Sequence, residues 1–161
     1  MSLESVRQHL KAFGRDGDIL EFATSSATVD EAAAAIGVPP EEIAKTLSVY
    51  SADGGSAVLI VVAGDAKLSS GKFKRRFGHK PRFLAADDVE PLTSHPVGGV
   101  CPFGVPEGTA VWLDESLRRF ARVYPAAGSR SSAIGVDITE LESLTGAAGW
   151  VDLSQDTETA V

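Results

Sequence analysis

The stretch Thr93-Ser94-His95-Pro96-Val97-Gly98-Gly99-Val100-Cys101-Pro102-Phe103-Gly104 constrains this chain more than any other. Three glycines and two prolines in twelve positions rule out a helix or a regular strand, because glycine is entropically costly in both and proline removes a backbone donor. The chain must form a shaped loop here. Adjacent glycines let backbone N–H groups approach a ligand with no Cβ in the way, and the prolines limit how far the loop relaxes. Such a loop suits an oxyanion, a carbonyl or a phosphate. Val100, Cys101 and Phe103 set it apart from a solvated connector, which seldom carries three such apolar side chains.

A loop of this kind needs a scaffold, and 161 residues suffice for one domain with an ordinary core. We expect a single domain over 1–153 and a polar, disordered tail over 154–161. The longest apolar run, Ala57 to Ala63, is far short of the ~20 residues of a membrane helix. Met1 to Phe13 is polar and does not read as a signal, and the lone cysteine excludes an intrachain disulfide; both fit a cytoplasmic protein. The net charge of −7 argues against a nucleic-acid partner, but its distribution argues the other way. Lys67, Lys72, Lys74, Arg75, Arg76, Lys80 and Arg82 lie in one segment that carries no acid, so an acidic protein offers a basic face to phosphates.

Hydrophobic spacing and turn signals place the elements. Ser2 caps a helix with Leu3, Val6, Leu10 and Phe13 on one stripe, ending near Gly14. Ile19 to Ala23 reads as a short strand, and Thr28-Val29-Asp30-Glu31 is a capping box opening an alanine-rich helix that stops at Gly37. A helical turn starts at Pro39-Pro40 and carries Ile43 and Leu47 on its inner face, with Lys45 where this helix hands over to a strand reaching Tyr50. Asp53-Gly54-Gly55 closes a hairpin onto Ala57 to Ala63, a strand buried on both faces. Ser69 to Phe77 is a basic helix, Pro81 to Leu84 a strand and Asp87 to Leu92 a brief helix. Strands follow at Ala110 to Leu113, Arg122 to Tyr124 and Ile134 to Ile138, with a short ordered segment at Glu115 to Phe120 and a second capping box at Thr139 to Glu142. Between the last two strands lies a second small-residue loop, Pro125 to Ser132, whose hydroxyls and Arg130 suit a phosphate or a ribose.

Four separated pieces coincide: Ser26-Ala27-Thr28, Ile43-Ala44-Lys45-Thr46-Leu47, Gly64-Asp65-Ala66-Lys67-Leu68 and Gly98-Gly99-Val100-Cys101-Pro102-Phe103-Gly104. In this order and spacing the sequence resembles the YbaK/EbsC-type aminoacyl-tRNA deacylases, free-standing relatives of the editing domain inserted in bacterial prolyl-tRNA synthetase. The resemblance covers roughly residues 20 to 150. It implies an α+β fold with a mixed, barrel-like sheet surrounded by helices, and hydrolysis of the ester that joins a mischarged amino acid to tRNA. The family's Gly-x-x-x-Pro loop maps onto Gly98, Gly99, Val100, Cys101 and Pro102, and its lysine onto Lys45. Substrate contacts are implied for Ser26, Thr28, Thr46, Gly128, Ser129 and Arg130, and tRNA contacts for Lys67, Lys72, Lys74, Arg75 and Arg76. The partners implied are aminoacyl-tRNA and an aminoacyl-tRNA synthetase, with no membrane and no DNA.

The chemistry follows from the residue types. Ester hydrolysis concentrates negative charge on the carbonyl oxygen, which preorganised backbone N–H groups at Gly98 and Gly99 would stabilise. Lys45 offers a compact charge for the terminal phosphate or ribose and orients rather than acting as a base. No Ser-His-Asp signature or zinc-ligand spacing stands out, so a water or a substrate group is expected to attack without a metal or cofactor. Cys101 stands where family members often have serine and is expected to pack or to line the pocket; His95 is read as a structural histidine, with relay of a proton as the alternative. Where many members have an acid in the second loop this chain has Ala133, which leaves the edited amino acid open among cysteine, alanine, serine and threonine. Two other classes compete: a catalytically silent tRNA- or synthetase-binding module, and a thiol redox protein. Peroxiredoxin-like sites place threonine three and proline seven residues before the cysteine, whereas Gly98 and Ser94 stand there.

Overall fold

The computed structural model describes residues 2–155. Its centre is a hairpin of two long strands, β2 (Ile43–Tyr50) and β3 (Ala57–Ala63), paired antiparallel from Ala44↔Ala63 to Tyr50↔Ala57. The turn is closed by Asp53, whose carboxylate accepts from Gly55 N and Ser51 Oγ. Strand β3 is buried along nearly its whole length, as a continuous apolar run requires, and β4 (Ala110–Asp114) lies parallel on its far side. Strands β5 (Arg122–Pro125), β7 (Val136–Asp137) and β8 (Gly149–Val151) complete a curled six-stranded half-barrel in the order β7-β5-β2-β3-β4-β8. A separate ribbon pairs β1 (Leu20–Glu21) with β6 (Ser132–Ala133).

Helices flank both faces of the sheet. Helix α1 (Ser2–Lys11) sends Val6 and Leu10 into the main core beside Leu59, Val61, Phe103 and Leu113. Helix α3 (Ser70–Phe77) buries Phe73 against Val49, Ile60 and Val62 on the opposite face. Helix α2 (Val29–Ile36) opens with the expected capping box, in which Thr28 Oγ1 accepts from Glu31 N and Glu31 Oε1 accepts from Thr28 N, and it stops at Gly37 in the left-handed region. Helix α4 (Ala86–Thr93) leads into the glycine loop, and α5 (Ile138–Thr145) covers the sheet near β8.

Several expectations are corrected. The turn at Pro40–Glu42 is a single 3-10 turn and the chain is already extended at Ile43, so Lys45 lies inside β2 opposite Val62. Ile43 and Leu47, four apart, share a face in a strand as they would in a helix, and their spacing alone does not separate the two. Ser2 belongs to α1 and bonds His95 through its hydroxyl. The strand expected at Pro81 to Leu84 is a single bridge, Phe83 to Val49, and that expected at Ile19 to Ala23 shrinks to β1. Ile138 starts α5 after Asp137, so Thr139 lies within the helix and caps nothing. Strand β8 went unanticipated because only three residues carry it. Of the expected tail, Ser154 bridges to Leu68 and Gln155 N donates to Lys67 O; the rest lies outside the described residues.

Candidate active site

The glycine loop, the Ser26-Ala27-Thr28 segment, β2 and the second small-residue loop meet around one cleft of about 240 Å³. That is below the ~300 Å³ at which drug-sized sites begin. Its walls are made of small apolar side chains, among them Ala27, Val29, Ala32, Ala44, Val100 and Ala133. Strand alternation supplies one wall, since Ala44, Thr46 and Ser48 share a face of β2 and all three line the cleft.

Pro96 to Gly99 forms the rim. The Gly99 N–H donates to Pro96 O at 2.9 Å, closing a turn with Gly98 at φ +88°. A side chain fits neither glycine. A Cβ on Gly98 would lie 3.1 Å from Ala27 Cβ, and one on Gly99 2.9 Å from the carbonyl carbon of Ser129. The turn therefore presses on both neighbouring segments. With its N–H committed to Pro96, Gly99 shapes the rim and is not one of the donors turned to a ligand. The N–H groups of Gly98 and Val100 have no acceptor among the described residues.

Beyond Val100 the loop turns inward. Cys101 is fully buried, with Sγ 3.6 Å from His95 Nε2, and Pro102 and Phe103 are buried beside it. Burial pushes the Cys101 thiol up to about 12. His95 is fully buried too: Nε2–H donates to Phe103 O at 2.7 Å, and Nδ1 accepts from Ser2 Oγ. Burial lowers its pKa against the opposing pull of that carbonyl. Cys101, Pro102 and His95 thus stand behind the site.

The second loop is tied to itself and to the first. Ser129 Oγ donates to Ser132 Oγ at 2.7 Å and accepts from Ser131 N, while Arg130 O accepts from Ser26 N at 2.7 Å. Arg130 lies over Gly98, and its Nη1 donates to Val97 O at 3.5 Å. Gly128 is buried against Val6 and Ser2 of α1, away from the cleft. Ser132, fully buried and holding Ser129, lines the cleft; the sequence places it among the hydroxyls of the second loop without marking it as a site residue.

Lys45 borders the cleft, and the charges acting on its ammonium are those of Asp65 and Lys67. Burial lowers its pKa, Asp65 raises it and Lys67 lowers it further. Asp65 is itself clasped by Arg119, which holds its carboxyl below the usual range. Asp65 belongs to the Gly64-Asp65-Ala66-Lys67-Leu68 piece, but its link to Lys45 is not legible in the sequence. Arg119 had no sequence signal.

The basic segment is not uniformly free. Lys72 Nζ bonds Asp152 at 3.0 Å and Ser154 O at 2.8 Å, tethering the last described residues. Arg76 stacks on Trp112 and Phe77. Lys67, Lys74 and Arg75 are exposed. Among the described residues no group of three or more His, Cys, Asp or Glu could hold a metal ion, and no helix is long and apolar enough to cross a membrane.

The fold is an α+β half-barrel, and its small cleft is rimmed by a glycine turn and bordered by Lys45. Residues 23–144 match the model of the aminoacyl-tRNA editing domain, and the chain belongs to that family. It is 47% identical over 158 residues to the uncharacterized protein YwhH of Bacillus subtilis (strain 168), covering 98% of this chain and 100% of that one. It is 31% identical over 113 residues to a proline–tRNA ligase of Pelobacter propionicus, covering 66% of this chain and 19% of the ligase. A crystal structure provisionally assigned as a trans-editing enzyme for prolyl tRNA synthetase superposes with a TM-score of 0.85 at 31% identity, covering 96% of this chain and 98% of that one.

Proposed function

We propose that this protein is a trans-acting deacylase, a free-standing domain that hydrolyses the ester of a small mischarged amino acid on tRNA. The observation that carries the reading is the cleft itself. Its apolar wall accepts a side chain of a few atoms, and Gly98 and Val100 offer two unclaimed N–H groups at the rim where an ester carbonyl would lie. Such donors act where charge develops, and loss of one typically costs about two to three orders of magnitude in rate.

Lys45 fixes the terminal ribose or phosphate, and Arg130 and Thr28 border the same mouth. The exposed Lys67, Lys74 and Arg75 take the acceptor stem through sequence-independent phosphate contacts. The attacking group is a water or a hydroxyl of the substrate. When water attacks, its oxygen adds to the ester carbon and the carbonyl oxygen takes the negative charge. On collapse the ribose C–O oxygen leaves and takes up the proton that the water gives, and a free amino acid and the tRNA hydroxyl result. Attack by a substrate hydroxyl first forms a new ester, which water then opens. The setting is the cytoplasm, with an aminoacyl-tRNA synthetase as the source of the mischarged substrate.

The test is release of free amino acid from a panel of tRNAs mischarged with alanine, serine, threonine or cysteine. Hydrolysis of at least one, falling about 100-fold in Lys45→Ala, is expected for a group whose loss misplaces the substrate. No turnover of any member, with tRNA still bound, returns the protein to a silent binding module.

A further inference from the structure

The edge of β2 carries a gap, centred on Thr46, that opens on the cleft. On one side of the gap, β5 runs parallel to β2 only at Ile43↔Tyr124 and Ala44↔Pro125, then leaves at Ala126 to bridge to Ala133 of β6. On the other side the edge is taken up again by the 82–84 segment, where Leu84 N donates to Ser48 O at 3.1 Å and Tyr50 N to Arg82 O at 2.9 Å. In an antiparallel ladder each residue turns both its N–H and its C=O to the same side. Ser51 N donates to Ser56 O, so the odd-numbered residues of β2 face β3, and the even-numbered ones face this outer edge. Ala44 and the carbonyl of Ser48 thus find partners there, while the Ser48 N–H, on the same edge, has none among the described residues. Thr46, between the two, finds none: among the described residues neither β5 nor the 82–84 segment reaches it.

A second observation falls on the same residue. Thr46 Oγ1 is buried without a hydrogen-bond partner, in the wall of the cleft. A buried polar group left unpaired is costly, and one residue with three unpaired groups beside a cavity is the arrangement that a ligand completes.

We propose that the gap at Thr46 is the recognition site for the α-amino group of the aminoacyl substrate, with Thr46 C=O as acceptor of its N–H and the Thr46 hydroxyl beside it. This rests on the deacylase reading and names which part of the substrate is held where. An amino group donates whether or not it is charged, so the grip needs no carboxylate, and the lining supplies none among the described residues. The site therefore distinguishes an aminoacyl ester from an acyl ester of equal size.

The experiment uses the full chain and two non-hydrolysable probes, 3′-alanylamido-3′-deoxyadenosine and its propionyl counterpart, which differ only by the amino group. Binding is followed by calorimetry and by the carbonyl carbon shift of Thr46 in selectively labelled protein. The alanyl probe should bind at least about tenfold more tightly and move the Thr46 carbonyl signal, whereas the propionyl probe leaves it in place. Thr46→Val should weaken the alanyl probe only a few-fold, since the carbonyl survives. Equal affinities, or tight alanyl binding with the Thr46 carbonyl unmoved, would overturn the assignment. Because neither probe can be hydrolysed, these outcomes are independent of whether tRNA esters are cleaved. Failure of both probes to bind removes the aminoacyl reading together with this one.

Discussion

Arg119 clasps Asp65 in a fork, Nη2 to Oδ1 at 2.5 Å and Nη1 to Oδ2 at 3.1 Å, and the carboxylate so held is the one that raises the pKa of Lys45. Burial lowers the Lys45 pKa more than Asp65 raises it, so the carboxylate opposes the burial effect without cancelling it. Removing that carboxylate lowers the Lys45 pKa further. In Asp65→Asn the high-pH limb of deacylation, corrected for spontaneous hydrolysis, should therefore move to lower pH, while Lys45→Ala loses rate at every pH. A limb that stays in place would separate Asp65 from the function of Lys45.

Gly98 and Gly99 should fail in different ways. At φ +88° an alanine at 98 costs about 1–2 kcal/mol, and its Cβ meets the Ala27 Cβ, tight at 3.1 Å, and the flexible side chain of Arg130. At 99 the Cβ meets the backbone of Ser129, which cannot turn aside, so overpacking costs about 1–3 kcal/mol and displaces the second loop. Denaturant titration should show a loss in both, and kcat should fall in both. Only Gly99→Ala should also alter hydrogen exchange at Ser129 and Ser131.

The shaped loop was legible because its glycines and prolines permit nothing else, and the capping box of α2 because its partners are three residues apart. Ser132, Arg119 and the gap at Thr46 were not legible. Each depends on a partner far along the chain: β1 pairing Glu21 with Ser132, β5 leaving β2 at Ala126 and the 82–84 segment arriving at Ser48 on either side of Thr46, and a 3-10 turn bringing Arg119 to Asp65. Cys101 and Pro102 mislead in the other sense. They share a motif with Gly98, yet the loop turns between Val100 and Cys101, and sequence adjacency does not report which residues stay at the surface.

Cys101 should behave as a core residue. With its pKa raised to about 12 by burial, almost no thiolate exists at pH 8, and the sulfur has no route to solvent. Thiol titration should find no fast-reacting group in the native protein and one after denaturation. Rapid native labelling, or peroxide turnover lost in Cys101→Ala, would restore the redox reading.

His95 should make the fold sensitive to mild acid. Its folded pKa lies below the unfolded value of 6.5, so the unfolded chain binds the proton more readily. The stability it contributes is complete above pH 6.5 and is lost as pH falls through the folded pKa. The loss is at most about 1.4 kcal/mol per pH unit, the slope for one proton. Nitrogen shifts followed against pH should show the ring titrating below 6.5 in the folded protein, and its neutral form as the Nε2–H tautomer held by Phe103 O. A ring that titrates at or above 6.5 would refute it.

The basic segment should divide by what each cation already holds. Lys74 and Arg75 are exposed, whereas Lys72 ties down Asp152 and Ser154 and Arg76 lies on Trp112. A cation that neutralises a phosphate releases counterions, so removing one such cation should reduce the log–log salt slope of tRNA binding by about 0.7–0.9. Lys74→Glu and Arg75→Glu should flatten that slope and leave the melting temperature unchanged. Lys72→Ala should instead loosen the stretch from Asp152 to Gln155, seen as faster exchange of the Ser69 and Gln155 amides that pair across it. A salt slope unaltered in Lys74→Glu and Arg75→Glu would make α3 a solvated face and place the tRNA elsewhere on the molecule.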